Sequence, residues 1–453
     1  MSLANHPISQ EIVKIISPNG RKLVEPVKLY HSALIHVMKT NKTYRTYKVL
    51  NVDINRDYDK NLTDEISITI LFPPGVWTDE VYPYLDDIEI TVMRSGSWST
   101  TNQESRRYKA YAKNPTDIRK QSPHLQNIST DSIDRMDIIT LQFQLVPLLI
   151  EKLITVQAGT NFVNCKVGDA LRTMMMNEAS KLDGLQDQDM LQGIDMVESD
   201  NQQEYQNIPI PHATKLINLP NYMQKHLYGI YQQGIGHYIQ NAMWYVYPLW
   251  RVDRRDPQVR FVNIFVTHRD FLRYVEYTYR TEGNDIYLIG TLEGESEELN
   301  SAKLLNNGNG IRAVNPNVQS TQESIKVEGN KAVISRSNNI SEFNIVESPN
   351  GVQHAPLANK ETNDINIYEQ VSRLEGKIGK VYAIVWQNSH PELIKPGSIV
   401  RLHYVAKDNK QEVIEGIVMK THHFIQAVSP GLNSTAYDCT TGIFIYSKEI
   451  QKT

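Results

Sequence analysis

Two adjacent histidines, His422 and His423, are the side chains of this sequence best suited to hold a metal or move a proton. They lie in a stretch of strand character, so they face opposite ways and cannot share one ion. One core-facing and one surface histidine is the expected outcome. Asp57-Tyr58-Asp59 and Asp86-Asp87 offer neighbouring carboxylates. A calcium loop needs about five or six oxygen ligands, a turn glycine and a closing glutamate. Neither segment supplies them, and both read as acidic turns. Gly229, Gly234 and Gly236 resemble a phosphate loop only loosely, because they follow a helix pattern instead of opening one, so a helix end is expected. Met174-Met175-Met176 reads as gap-filling core. Arg251, Arg254 and Arg255 alternate with Asp253 and Asp256, a self-compensated loop or a rim of charge at an interface. No nucleophile elbow, Walker loop, HExxH motif or paired CxxC is present. A pair of carboxylates for glycoside hydrolysis leaves no linear signature. No catalytic, cofactor-binding or metal residue is assigned, and no cofactor is expected.

The elements that would position these side chains are mostly strands. The clearest group is C-terminal. A Lys395-Pro396-Gly397 turn precedes a strand from Ile399 to Val405, and Lys407 to Lys410 make a polar turn. A strand from Glu412 to Ile425 follows, then a Ser429-Pro430-Gly431 turn and a strand from Thr435 to Tyr446. Val400, Leu402 and Tyr404 share one face. Gly416, inside the middle strand, suggests a bulge or sharp bend. Upstream, from about Ile12 to Ile154, short alternating runs such as Ile66 to Ile70 and Ile88 to Val92 are separated by turns, the pattern of an all-β barrel or sandwich. Leu148 to Val156 reads as the last of these strands, after a break at Pro147. The segment from Lys113 to Asp134 reads as a polar surface loop.

Between the two β regions the pattern changes. Val167, Leu171, Met174 and Met175 share one stripe of a helix over Val167 to Ala179. Leu182 to Asn207 reads as a polar mobile loop, and a second helix is expected from Asn221, as N-cap, to Gln232. Ala242 to Trp250, dense in aromatics, reads as a strand packed on both faces. Strands are expected at Val259 to Thr267, Ile286 to Gly290 and Val381 to Trp386. Leu292 to Asn366 is dominated by Asn, Ser, Glu and Gly, and cannot bury enough area to offset its ordering entropy. A short helix is expected from Ile365 to Leu374.

Composition sets the class. A chain of 453 residues exceeds one core and implies two or three domains. With 47 basic against 51 acidic residues, the net charge is -4. No global positive field would hold nucleic acid tightly. Two cysteines, Cys165 and Cys439, make no disulfide framework, and a reducing cytosol is the expected site of synthesis. The N-terminus lacks a basic region followed by an apolar run, and no run approaches the roughly 20 residues of a spanning helix. The 24 tyrosines against 9 phenylalanines suit half-wet strands and interfaces.

Taken together, these features resemble the baseplate hub proteins of tailed bacteriophages, above all the hub of contractile tails and the hub part of type VI secretion spikes. Leu393-Ile394-Lys395-Pro396-Gly397-Ser398-Ile399-Val400 looks like the family's Pro-Gly turn leading into a barrel strand. Ile417 to Phe424 is similar to its strand with a late histidine and aromatic. Thr440-Thr441-Gly442-Ile443-Phe444-Ile445 looks like its closing strand. The Val167 to Ala179 helix is similar to the one that follows the first barrel. The resemblance implies a mainly β fold with α segments (α+β), holding two tail-tube-like antiparallel β-barrels. The first would span 12–160 and the second, split, 251–292 and 375–450. Residues 161–250 would be a helical or mixed linking region and 293–374 a polar, partly irregular insertion. It further implies a non-enzymatic virion protein, made in the host cytoplasm. A homotrimeric hub would adapt a sixfold tail tube to a threefold central spike. Its partners would be the tail tube protein, the spike, other baseplate (wedge) proteins and the tape measure protein. Genomic DNA would pass through the lumen without specific binding, and no membrane would be involved. Two rival readings stand beside it: a tail-associated cell-wall hydrolase, and a minor tail protein that binds surface carbohydrate through an exposed Trp244 to Trp250 platform.

Overall fold

The computed structural model describes residues 7–16, 29–73, 75–96, 104–113, 139–225, 227–254, 260–272, 277–297, 311–314, 323–328, 331–336, 340–343, 353–356, 379–405, 410–428 and 436–448. The fold is mainly β. The first part carries α1 (Pro7–Ile16), β1 (Leu29–Val37), β2 (Lys42–Arg45), β3 (Lys48–Asp57), β4 (Glu65–Phe72), β5 (Ile88–Gly96), β6 (Glu104–Lys113) and β7 (Ile139–Pro147). The middle carries α2 (Leu148–Leu153), β8 (Gln157–Lys166), α3 (Val167–Ala179), β9 (Gly193–Met196), β10 (Glu204–Lys215), α4 (Leu219–Lys225), β11 (Ile235–Gln240) and β12 (Met243–Pro248). The last part carries β13 (Phe261–Val266), α5 (Arg269–Leu272), β14 (Tyr279–Glu282) and β15 (Asp285–Glu297). Then come β16 (Ile311–Val314), β17 (Glu323–Glu328), β18 (Lys331–Arg336), β19 (Ile340–Phe343), β20 (Gln353–Pro356), β21 (Gly379–Gln387), β22 (Ile399–Val405), β23 (Gln411–Ala427) and β24 (Tyr437–Lys448).

Strand pairing runs in two cycles. In the first, β1 pairs β5, then β6, β7, β4 and β3 follow, all antiparallel. The C-terminal half of β23 pairs β3 from Lys420↔Asp57 to Gln426↔Asn51. β24 pairs β23, and meets β1 at Leu29↔Tyr437. The buried residues show why: Ala33, Ile35, Val37, Ile68, Ile70, Ile88, Ile90 and Phe143 alternate inward and share one core with Ile425, Tyr437 and Cys439. The second cycle runs β13, β22, β23, β24, β21, β15 and back to β13. Its core holds Val262, Ile264, Leu288, Ile384, Trp386, Leu402, Val418 and Ile443. The two cycles therefore share β23 and β24. β13 runs parallel to both β15 and β22, which corrects the all-antiparallel expectation. The connection 267–284, with α5 and β14, supplies the crossover that parallel neighbours need.

Several elements differ from the sequence reading. Residues 12–16 are helical within α1, because Ile8, Ile12 and Ile15 repeat at helix spacing and bury against Phe265, Leu272 and Ile289. Leu148 to Leu153 forms α2, not a strand; a short apolar run fits either. The helix expected at Asn221–Gln232 is the shorter α4, which starts earlier and holds Asn221 inside it. The expected mobile loop at 182–207 contains β9 and the start of β10. Asn201 is buried there, donating to the carbonyls of Tyr228 and Gly229. The polar insertion carries an antiparallel β17–β18–β19 sheet and a parallel β16–β20 pair. The helix at Val167–Ala179 and the strand at Ile399–Val405 stand at the expected bounds. The turns at Lys407–Asn409 and Ser429–Gly431, the loop 114–134, Arg255 and the helix at 365–374 lie outside the described residues. No helix among the described residues is long and apolar enough to cross a membrane.

Gly416 has a different role from the expected bulge. The register shift in β23 lies between Val418 and Lys420. At Gly416 an added Cβ would stand 2.6 Å from Ile445 Cγ2 and 2.6 Å from the Tyr446 carbonyl oxygen. Close approach of β24 is what excludes a side chain. Gly416→Val is expected to lower stability by about 2 kcal/mol through overpacking, read as a shifted denaturant midpoint; an unchanged midpoint would refute the close-approach argument.

Candidate functional site

The residues singled out in the sequence do not converge. His423 is fully buried, whereas His422 is half exposed beside Asp53, at 2.9 Å. Asp57 Oδ1 accepts the N–H groups of Asp59 and Lys60, closing a turn. Asp86 and Asp87 sit in the helical turn at Tyr82–Asp87. Met174 and Met175 lie in the core around α3, and Met176 is exposed. Gly229 and Gly234 occupy left-handed turns, with φ of 75° and 78°. Arg254 is buried and donates to the Gly397 carbonyl, and Arg251 pairs with Asp200 and Asp253. Cys165 and Cys439 are both free. Trp244 and Tyr247 are buried, so the proposed carbohydrate platform is not exposed on this chain. β12 is instead packed on both faces, as its composition implies. Among the described residues no group of three or more His, Cys, Asp or Glu side chains is placed to hold a metal.

What the fold does assemble is a buried ionic joint. It forms where β3, β5 and β6 of the first cycle meet three other parts of the chain. These are β23, the segment 388–398 between β21 and β22, and the β11–β12 hairpin. Arg56 comes from β3 at an inward position, after Val52 and Ile54, and is 1% exposed. Its Nη2 lies 3.0 Å from Glu392 Oε1 and 3.1 Å from Asp64 Oδ2. Arg94, from β5, reaches the same Glu392 oxygen at 2.8 Å and also pairs with Glu104. Asn241 stands at the hairpin tip, with φ of 54°, in a two-residue turn of the kind hairpins favour. Its amide donates to Glu392 Oε2, and its carbonyl oxygen accepts from Arg106. Tyr238, on β11, donates to Asp64 Oδ1 at 3.0 Å and packs edge-on against Tyr58.

Electrostatics fix the protonation states. Burial alone would push the Glu392 carboxyl up, but Arg56, Arg94 and Arg106 outweigh it and hold it well below the usual carboxylate range. Burial, then Arg56, holds His423 well below the usual histidine value. Arg56 Nη1 lies 3.2 Å from His423 Nε2 and can only donate, so Nε2 accepts and Nδ1 carries the ring proton. Nδ1 donates to Thr441 Oγ1 at 2.7 Å, and that hydroxyl lies 2.6 Å from Ser389 Oγ. A small cavity of about 80 Å³ touches Asp64, Arg106 and Asn241 at its edge; the buried charges pair with one another, and the chemistry is that of a rigid, desolvated clasp. Arg56 could have been suspected as the inward charge of an alternating strand. Nothing in Pro391-Glu392 announces the counterion.

No protein-family model matches the chain, and no curated protein matches it. Solved structures of similar fold include a tail protein from Neisseria meningitidis MC58, 11% identical, covering 92% of this chain and 96% of that one, with a TM-score of 0.42. The 43 kDa tail protein of prophage MuSo2 from Shewanella oneidensis is 7% identical, covering 92% and 96%, with a TM-score of 0.43. A chain of the Francisella PdpA–VgrG complex is 9% identical, covering 96% of this chain and 55% of that one, with a TM-score of 0.41.

Proposed function

We propose that the chain is a structural subunit of a phage tail baseplate, acting as its hub. Each pairing cycle is read as one tail-tube-like barrel. The first is built mainly from 12–160, and the second from 251–292 and 375–450. Residues 161–250 link them, and 293–374 is an insertion. The observation that carries this reading is the pair of cycles joined through β23 and β24. Two barrels per chain, repeated by a threefold axis, would present six barrel units to a sixfold tube and a threefold face to a spike. The ionic joint supports it, because it ties strands of the cycles to the linking region, as an adaptor under tension requires. In this reading the tail tube protein, central spike, wedge and tape measure proteins are its neighbours, and DNA passes the lumen without specific contacts. The protein's place is the virion, and its role is mechanical.

The test is the mass of the isolated chain in solution, by light scattering over rising concentration. A trimer, or assembly through one, is expected. A strictly monomeric mass at high concentration would sink the hub reading.

A further inference from the structure

His423 sits where an added proton has nowhere favourable to go. Its Nε2 faces Arg56 Nη1 from β3, at 3.2 Å, and the Thr421 hydroxyl from its own strand, at 3.0 Å. Its Nδ1 faces Thr441 of β24, and behind that hydroxyl lies Ser389, whose Oγ donates to the Cys439 carbonyl at 3.2 Å. The other charges acting on the ring are Glu392, which favours the proton, and Arg94 and the neighbouring His422, which oppose it. Three guanidinium groups, of Arg56, Arg94 and Arg106, already balance three carboxylates, of Asp64, Glu104 and Glu392. A proton on Nε2 therefore adds one uncompensated buried charge. It also turns the acceptor of the Arg56 bond into a second donor.

We propose that the joint is an acid-sensitive latch read by His423: protonation at Nε2 breaks the Arg56 contact and loosens residues 388–398 from β23 and β24. Only the opened joint lets the ring take up a proton in water, where an unperturbed histidine titrates near 6.5. The sign follows. The joint is fully closed above about pH 6.5. Below it, each pH unit favours opening by up to tenfold through His423, and the buried His390 of the same segment adds up to tenfold more on release, until the closed form itself is protonated. This inference does not rest on the hub reading.

The test is hydrogen exchange of the Ser389 N–H, bonded to the Cys439 carbonyl at 3.0 Å, and the Tyr58 N–H, bonded to the Met419 carbonyl at 2.9 Å. It is run from pH 7.5 to 5 on the full chain and corrected for the intrinsic chemical rate. Wild type should open up to a hundredfold more per unit below about pH 6.5, tenfold for each of His423 and His390. His423→Gln keeps an acceptor for Arg56 and a donor for Thr441 but cannot ionise, so its slope should fall to the His390 share, at most tenfold per unit. His390, in the same segment, is also buried, and its pKa is held down to about 4; His390→Gln should remove that second share and keep the one due to His423. A His423→Gln slope as steep as that of wild type, or loss of the whole slope in His390→Gln, overturns the proposal. Should that variant not fold, ¹⁵N spectra of the wild-type ring decide: a proton on Nε2 at pH 7.5 overturns it, and one on Nδ1 supports it.

Discussion

Replacing Glu392 by glutamine is expected to remove about 3 kcal/mol of stability, the lower end of the cost of breaking a buried ion pair. The lower end applies because neither arginine is left bare: Arg56 keeps Asp64, and Arg94 keeps Glu104. The loss still reaches both cycles and the linking region, since one carboxylate ties Arg56, Arg94 and Asn241 together. The check is a denaturant titration with a double-mutant cycle to Arg94→Met. Coupling between the two sites of about 1 kcal/mol or more is expected for residues in contact, and additive effects would mean that the joint is not a unit. The pH dependence has a definite sign. The folded carboxyl is held below its ordinary value, so its contribution is present above about pH 4.3 and fades as pH falls through the depressed folded value. In Glu392→Gln that acid-side loss should be missing, while the His423 response, which begins nearer pH 6.5, should persist.

How far the sequence carried the fold depended on period. Val167–Ala179 and Ile399–Val405 were legible to the residue, because each is a clean pattern bounded by turn chemistry. Leu148 to Leu153 was misread, since a short apolar run carries no decisive period, and residues 12–16 were read apart from Ile8, which completes their helical stripe. The β13 direction was hidden because parallel and antiparallel neighbours bury the same residues. The joint was the least legible part. Arg56 continues the alternation two residues past Ile54, where the strand reading stopped, and which of His422 and His423 faces inward was left open; Glu392 and Asn241 sit in turns, and only tertiary pairing brings them within hydrogen-bond reach. The opposite faces of His422 and His423 needed nothing more than strand geometry.

Trp386→Ala is expected to cost about 4 kcal/mol, as large-to-small changes of a fully buried tryptophan do. Its ring is wholly buried in the core of the second cycle, with Tyr279 edge-on at 5.6 Å. Its Nε1–H donates to Thr278 Oγ1 at 3.0 Å, and that hydroxyl donates to the Gln387 carbonyl at 2.8 Å. Phenylalanine at 386 keeps most of the volume but leaves Thr278 without that donor, so about half the loss should return. The more telling readout is where the loss shows. β23 and β24 pair continuously from Ile417↔Tyr446 to Ala427↔Tyr437 apart from one register shift, and serve both cores. A cavity in one core should therefore lower amide protection in the other, as a single cooperative transition does. Protection lost from β21 and β22 while β4 and β7 hold would mean that the shared strands do not couple the cycles, and the rigid two-unit body that an adaptor needs would not exist.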